Sequence, residues 1–114
     1  MGLVVVTGGS RGLGYETARA LKEVGHQILL VAKDADRLAQ SATKLGCDYR
    51  AVDLADIDAA RTTFQEILTT FGTPEILMLA HGVMAEKVSK TLRTNNEEWR
   101  RVMSINLDSV FTAV

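Results

Sequence analysis

The sequence predicts an α/β domain, a doubly wound parallel sheet in strand order 3-2-1-4 with helices on both faces. Three observations carry that prediction. Short runs rich in β-branched or large apolar residues recur at 3–7, 27–32, 48–52 and 75–80. Stretches with helical spacing separate them, joined by short loops. A glycine-rich turn, "GGSRGLG" at 8–14, follows the first run directly. Strand–helix alternation of this kind means parallel pairing through right-handed crossovers.

Each element has its own signal. "LVVVT" (3–7) is a short apolar run that ends where the glycines begin. Leu13, Thr17, Ala20 and Val24 then share one helical face, and Gly25 supplies a stop. "QILLVA" (27–32) is the second strand. Asp34 is placed to cap a second helix striped by Leu38, Ala42 and Leu45 and closed by Gly46. "DYRAV" (48–52) mixes charge with apolar residues, as an edge strand does. Asp56 opens a third helix carrying Ile57, Ala60, Phe64, Ile67 and Phe71, which ends at "GTP" (72–74).

"EILMLA" (75–80) has no polar residue after Glu75, so it reads as a strand covered on both faces. The order 3-2-1-4 nevertheless puts it at an edge, and an apolar edge needs a partner. The expectation is a fifth strand, before which the sheet is read as truncated, or another chain. Thr94 and Glu97 have capping-box spacing and open a fourth helix. Its apolar face holds Trp99, Val102, Met103, Val110, Phe111 and Val114, with Asn106 among them. The reading is one domain over 1–114.

Composition narrows the function. Apolar content of 46%, 24% charged residues and a net charge of −1 are ordinary for a globular domain. They give no electrostatic footprint for nucleic acid or for an anionic membrane. The single cysteine, Cys47, excludes a disulfide within the chain, fits a reducing compartment and reads as a small buried residue. No apolar run approaches the ~18 residues of a membrane span, and Val6 stands where a myristoylation signal needs Ser or Thr. The expectation is a soluble cytoplasmic protein with no nucleic-acid or membrane partner and no metal site.

The glycine turn carries the chemistry. One glycine permits a sharp turn, another lets backbone amides approach a phosphate, and a third lets the helix pack closely on the strand. The helix N-terminus then offers unpaired N–H groups and partial positive charge to an anion. A Walker-type loop does not fit, because no Gly-Lys-Ser/Thr follows. In a 3-2-1-4 sheet this turn lies between strands 1 and 4, where the order reverses and a crevice opens. A tight turn without a ligand is the plainer alternative.

Thr7-Gly8-Gly9-Ser10-Arg11-Gly12-Leu13-Gly14 resembles the Thr-Gly-x-x-x-Gly-x-Gly motif of the short-chain dehydrogenases/reductases. The likeness extends through "VDL" (52–54) and "EEWRRVMSINLDSVF" (97–111) and covers essentially the whole chain. It implies a Rossmann-type domain in which Gly8, Ser10, Arg11, Gly12, Leu13 and Gly14 bind a nicotinamide dinucleotide. By the same resemblance Ala32 stands where NAD-preferring members carry Asp, and Lys33 where NADP-preferring members often carry Arg. With Arg11 this favours NADP(H) over NAD. Asp34 is read as a helix cap before it is read as a ribose ligand.

Other positions carry over singly. Asp53, with Leu54, matches the family's contact to the adenine, and a local capping role for Asp53 stays open beside it. Where the family shows Asn-Asn-Ala-Gly, this chain has Leu79-Ala80-His81-Gly82. Ala80, through its backbone, and Gly82 are expected at the ribose, while His81 is either a satisfied loop residue or a contact to cofactor or substrate. Asn106, an amide on an apolar face, must find partners, because an unpaired one costs ~1–3 kcal/mol. The resemblance also gives it a place in the catalytic proton relay.

The family's Tyr-x-x-x-Lys pair is missing. Tyr15 is followed four residues later by Arg19, and Tyr49 by Asp53. The expectation is therefore the cofactor-binding part of an NADP-dependent oxidoreductase, probing a small carbonyl or alcohol substrate as a homo-oligomer, with catalytic Ser, Tyr and Lys beyond this chain. The alternative is a non-catalytic nucleotide-binding or assembly module complete at this length.

Overall fold

Alternation along the strands decides the architecture. In β1 (Leu3–Thr7), Leu3 and Val5 face one side of the sheet while Val4 and Val6 face the other, and all are buried. A strand buried on both faces needs helices on both, and the computed structural model supplies them. It describes residues 2–81 together with Glu97 and Arg100, both of which are helical. After β1 come α1 (Gly12–Val24), β2 (Gln27–Ala32), α2 (Ala35–Leu45), β3 (Asp48–Ala51), α3 (Ile57–Phe71) and β4 (Ile76–Leu79).

The sheet has the order β3-β2-β1-β4, all parallel. β1 is central, with Val5 opposite Leu29 of β2 and Leu77 of β4. On one face Val4, Val6, Ile28, Leu30 and Ala32 pack with Ala18 of α1 and Leu38 and Ala42 of α2. On the other, Leu3, Val5, Leu29 and Val31 pack with Ala60 and Ile67 of α3 and with Val52 and Leu54 after β3. Burying a side chain of Leu or Ile size contributes ~1.5–3 kcal/mol, so these two layers hold the sheet between its helices.

The strand order and the Asp34 and Asp56 caps follow the sequence. Asp34 accepts a hydrogen bond from Arg37 N–H at 3.1 Å, and Asp56 accepts one from Ala59 N–H at 3.1 Å. β3 is an edge strand with exposed Asp48 and Tyr49. It ends one residue before the expected Val52, and β4 is one residue shorter at each end than the apolar run.

One expectation fails. The buried face of α1 is Gly14 and Ala18, bordered by Thr17 and Leu21, and not the stripe Leu13–Thr17–Ala20–Val24. Leu13 is 74% exposed and Val24 60%. The helix lies so close to β1 that small residues take the contact, which inverts the usual weight given to large apolar positions. β4 has no partner on its outer edge among the described residues, and Ile76 there is exposed. The predicted fourth helix lies outside the described residues apart from Glu97 and Arg100. Among the described residues no helix is long and apolar enough to cross a membrane.

Candidate functional site

The glycine turn between β1 and α1 is shaped by three different demands. Gly8 has φ +70°, and a Cβ there would stand 2.7 Å from the Ala80 carbonyl oxygen, so only glycine lets the turn pass the end of β4. Gly14, in the first turn of α1, presses on the Gly8 carbonyl, and a side chain would push the helix off the strand. Gly12 has φ +61° but faces open space. Its missing side chain clears the cleft.

The turn is held from several sides. Gly8 N–H donates to the Val31 carbonyl at 2.8 Å, Ala80 N–H donates to the Thr7 carbonyl at 3.1 Å, and the Ser41 hydroxyl of α2 donates to the Ser10 carbonyl at 2.6 Å. The amides entering α1 are therefore aimed before anything binds.

Among the described residues those amides have no internal acceptor. The first N–H groups of a helix lack intrahelical partners. α2 and α3 answer theirs with Asp34 and Asp56 and place Asp36 and Asp58 in the first turn. α1 has Arg11 at its cap with no side-chain hydrogen bond, and no acidic residue in its first turn. Its N-terminus thus keeps its full attraction for an external anion.

A cleft of about 600 Å³ opens over the C-terminal ends of all four strands. The β1 turn supplies Gly8, Ser10, Arg11 and Gly12, the β2 end supplies Ala32, Lys33, Asp34 and Arg37, the β3 end supplies Val52 to Ala55, and β4 supplies Ala80 and His81. The volume lies within the ~300–1,000 Å³ typical of small-molecule clefts. Val52 and Leu54 are buried and give one wall an apolar floor.

Charge is divided unequally along it. Lys33 Nζ lies 3.5 Å from Asp53 Oδ2, while Asp53 Oδ1 accepts from Ala55 N–H at 3.0 Å. Asp53 therefore fills the local capping role and also faces the cleft. At the other end, fully buried Thr7 shares a 2.6 Å hydrogen bond between its hydroxyl and Nδ1 of His81, and its hydroxyl also lies 3.4 Å from the Met78 carbonyl. One hydroxyl serves both when Nδ1 carries the proton and the Met78 carbonyl accepts. Burial pushes the His81 imidazole below the usual histidine range, which favours the neutral ring.

Of the expected site residues, Gly8, Ser10, Arg11, Gly12, Lys33, Asp53, Leu54 and Ala80 come together around this cleft. The Leu13 side chain does not, since it projects to solvent, and Gly14 lies beneath the turn in close contact with Gly8. Gly82 and Asn106 lie outside the described residues. The sequence reading missed Arg37, which lines the cleft, and Ser41, which braces the turn. Arg37 had a usable signal in its position three residues after the capping Asp34. Among the described residues no three metal-ligating side chains cluster.

The arrangement fits a dinucleotide: uncapped amides for phosphate, a cleared path at Gly12, cations on one wall and an apolar floor beside them. The short chain dehydrogenase family matches residues 2–114. A galactitol 2-dehydrogenase (L-tagatose-forming) of Cereibacter sphaeroides is 28% identical over 95% of this chain and 42% of its own length. The 3-oxoacyl-[acyl-carrier-protein] reductase of rhamnolipid biosynthesis in Pseudomonas aeruginosa is 30% identical over 98% of this chain and 44% of its own. A metagenomic short-chain oxidoreductase solved in complex with NADP superposes with a TM-score of 0.91 at 26% identity, over 97% of this chain and 52% of that one. The chain thus spans less than half the length of these two curated relatives.

Proposed function

This chain belongs to the short-chain dehydrogenase family, and from that premise we propose that it is the cofactor-binding part of an NADP-dependent oxidoreductase. The reaction is hydride transfer between the nicotinamide and a small carbonyl or alcohol substrate. The observation that carries this reading is the uncapped, glycine-lined N-terminus of α1 opening onto a cleft whose wall bears Arg11 and Lys33. The NADP in a structural neighbour at 26% identity supports the same choice of coenzyme.

The bound coenzyme supplies the hydride; the chain's residues bind and orient it. Amides at Gly12 to Gly14 would hold the pyrophosphate, and Gly8 and Ala80 would let it approach the sheet. The cations would answer a 2′-phosphate, and Leu54 would meet the adenine. Asn106 is proposed as part of the proton relay and Gly82 as a ribose contact. Neither Tyr15 nor Tyr49 has the lysine partner of an acid–base pair. We place the catalytic Ser, Tyr and Lys in the part of the relatives that this chain does not span, so this chain alone binds without turning over. A cytoplasmic location and a homo-oligomeric state complete the proposal.

Calorimetric titration with NADPH and NADH tests it. The wild-type chain is expected to bind NADPH more tightly, and the double variant Arg11→Ala/Lys33→Ala to lose at least tenfold of that preference, since charge-assisted bonds to phosphate are worth ~1.5–3 kcal/mol each. An unchanged preference contradicts the assignment.

A further inference from the structure

The family resemblance gives the 2′-phosphate to Arg11 and Lys33, but the geometry redistributes that task. Lys33 is partly answered already: its ammonium lies 3.5 Å from Asp53, and Asp53 is fixed by the Ala55 amide. Arg37 lines the same wall. Among the described residues it makes no ion pair, and neither does Arg11.

The placement of Arg37 follows from the cap that starts α2. Asp34 accepts the Arg37 N–H, which makes Arg37 the third residue of the helix. Helical side chains lean toward the N-terminus of their helix. Arg37 therefore leans back over the β2–α2 turn that carries Lys33 and Asp34, at the mouth of the cleft. The wall then carries Arg11, Lys33 and Arg37 against Asp34 and Asp53. Asp34 is engaged as the cap and Asp53 by Lys33 and Ala55, so the guanidinium groups of Arg11 and Arg37 keep donors to spare, and Arg37 is the one that stands over the β2–α2 turn. A planar guanidinium also matches phosphate oxygens with paired N–H donors, which an ammonium does not.

We infer that Arg37 is a specificity-determining residue whose guanidinium holds the 2′-phosphate of NADP(H), with Lys33, shared with Asp53, as the lesser contact. This rests on the dinucleotide reading above and assigns the selectivity within it to a residue of α2 that the glycine motif and the β2 terminus do not include.

The test is the affinity of the full chain for NADPH and for NADH in Arg37→Ala, Arg37→Lys, Lys33→Ala and Arg61→Ala. Arg37→Ala is expected to weaken NADPH about tenfold, the scale of one charge-assisted phosphate contact, and to leave NADH within about twofold. Arg37→Lys recovers part of the loss, Lys33→Ala loses less than Arg37→Ala, and the remote control Arg61→Ala changes neither. The NADPH loss shrinks at high salt, where phosphate contacts are screened. Equal effects of Arg37→Ala on both coenzymes overturn the inference, as does a preference abolished by Lys33→Ala and untouched by Arg37→Ala. A wild-type chain that binds neither coenzyme brings down the cofactor reading itself, a failure visible before any variant is made.

Discussion

Gly8 and Gly12 share a left-handed backbone yet do different work, and substitution separates them. Gly8→Ala meets the left-handed penalty of ~1–2 kcal/mol and in addition drives a Cβ into the backbone at Ala80, which has no soft side chain to move aside. Gly12→Ala meets only the first, because open space surrounds it. Denaturant unfolding should therefore rank Gly8→Ala well below Gly12→Ala in stability, and equal losses would remove the close approach from the account. His81 adds a pH dependence at the same junction. Its imidazole is pushed down by burial, so at pH values just below the ordinary ~6.5 the unfolded chain binds more protons than the folded one. Its contribution to stability is present above that range and is lost as acid protonates the ring in the fold. The drop in unfolding midpoint between pH 7.5 and 5.5 should shrink in His81→Asn. A drop of the same size in both would show that His81 does not set it. The window lies above that of Glu66, whose carboxyl is held below the usual carboxylate range by Arg50.

At the scale of elements, α1, α2 and α3 differ most at their N-termini. α2 and α3 are closed by aspartate caps, and α1 is left open. Asp34→Ala should cost about 1 kcal/mol in unfolding free energy, the usual worth of such a cap, and a neutral result would mean that the Arg37 amide finds another acceptor. This contrast also shows what could be read in the sequence and what could not. Strand runs, caps and helix stops are local, and the chain states them: Asp34, Asp56, Gly25 and Gly46 stand where the elements begin and end. Which face of α1 is buried is not local. Leu13 and Val24 outweigh Gly14 and Ala18 in any apolar pattern, yet the distance between helix and strand admits only the small residues. Ser41 escaped for a related reason. Its partner, the Ser10 carbonyl, belongs to another element and meets it only after folding.

For the whole molecule, the order β3-β2-β1-β4 reverses direction at β1, and the cleft opens where it does. α1 and α2 cover one face and α3 the other, and the turn after β1 runs beside Ala80 and His81 at the end of β4. The far edge is secured separately. Arg50 of β3 bonds the Glu66 carboxylate of α3 at 3.0 Å and lies 5.1 Å from the centre of the Phe71 ring, joining the exposed strand to its helix away from the cleft. This contact holds the fold at a distance from the amides and cations that face the cleft.

In the proposed function the amides entering α1 seat the phosphates of a nicotinamide dinucleotide. Backbone amide NMR of the chain during addition of NADPH tests this. Signals of residues 8–14 are expected to shift first and most, followed by those around Lys33 to Arg37 and Asp53 to Ala55, while the solvent face of α3 stays unchanged. A folded chain whose glycine-turn amides do not respond, or whose shifts centre on α3, would contradict it.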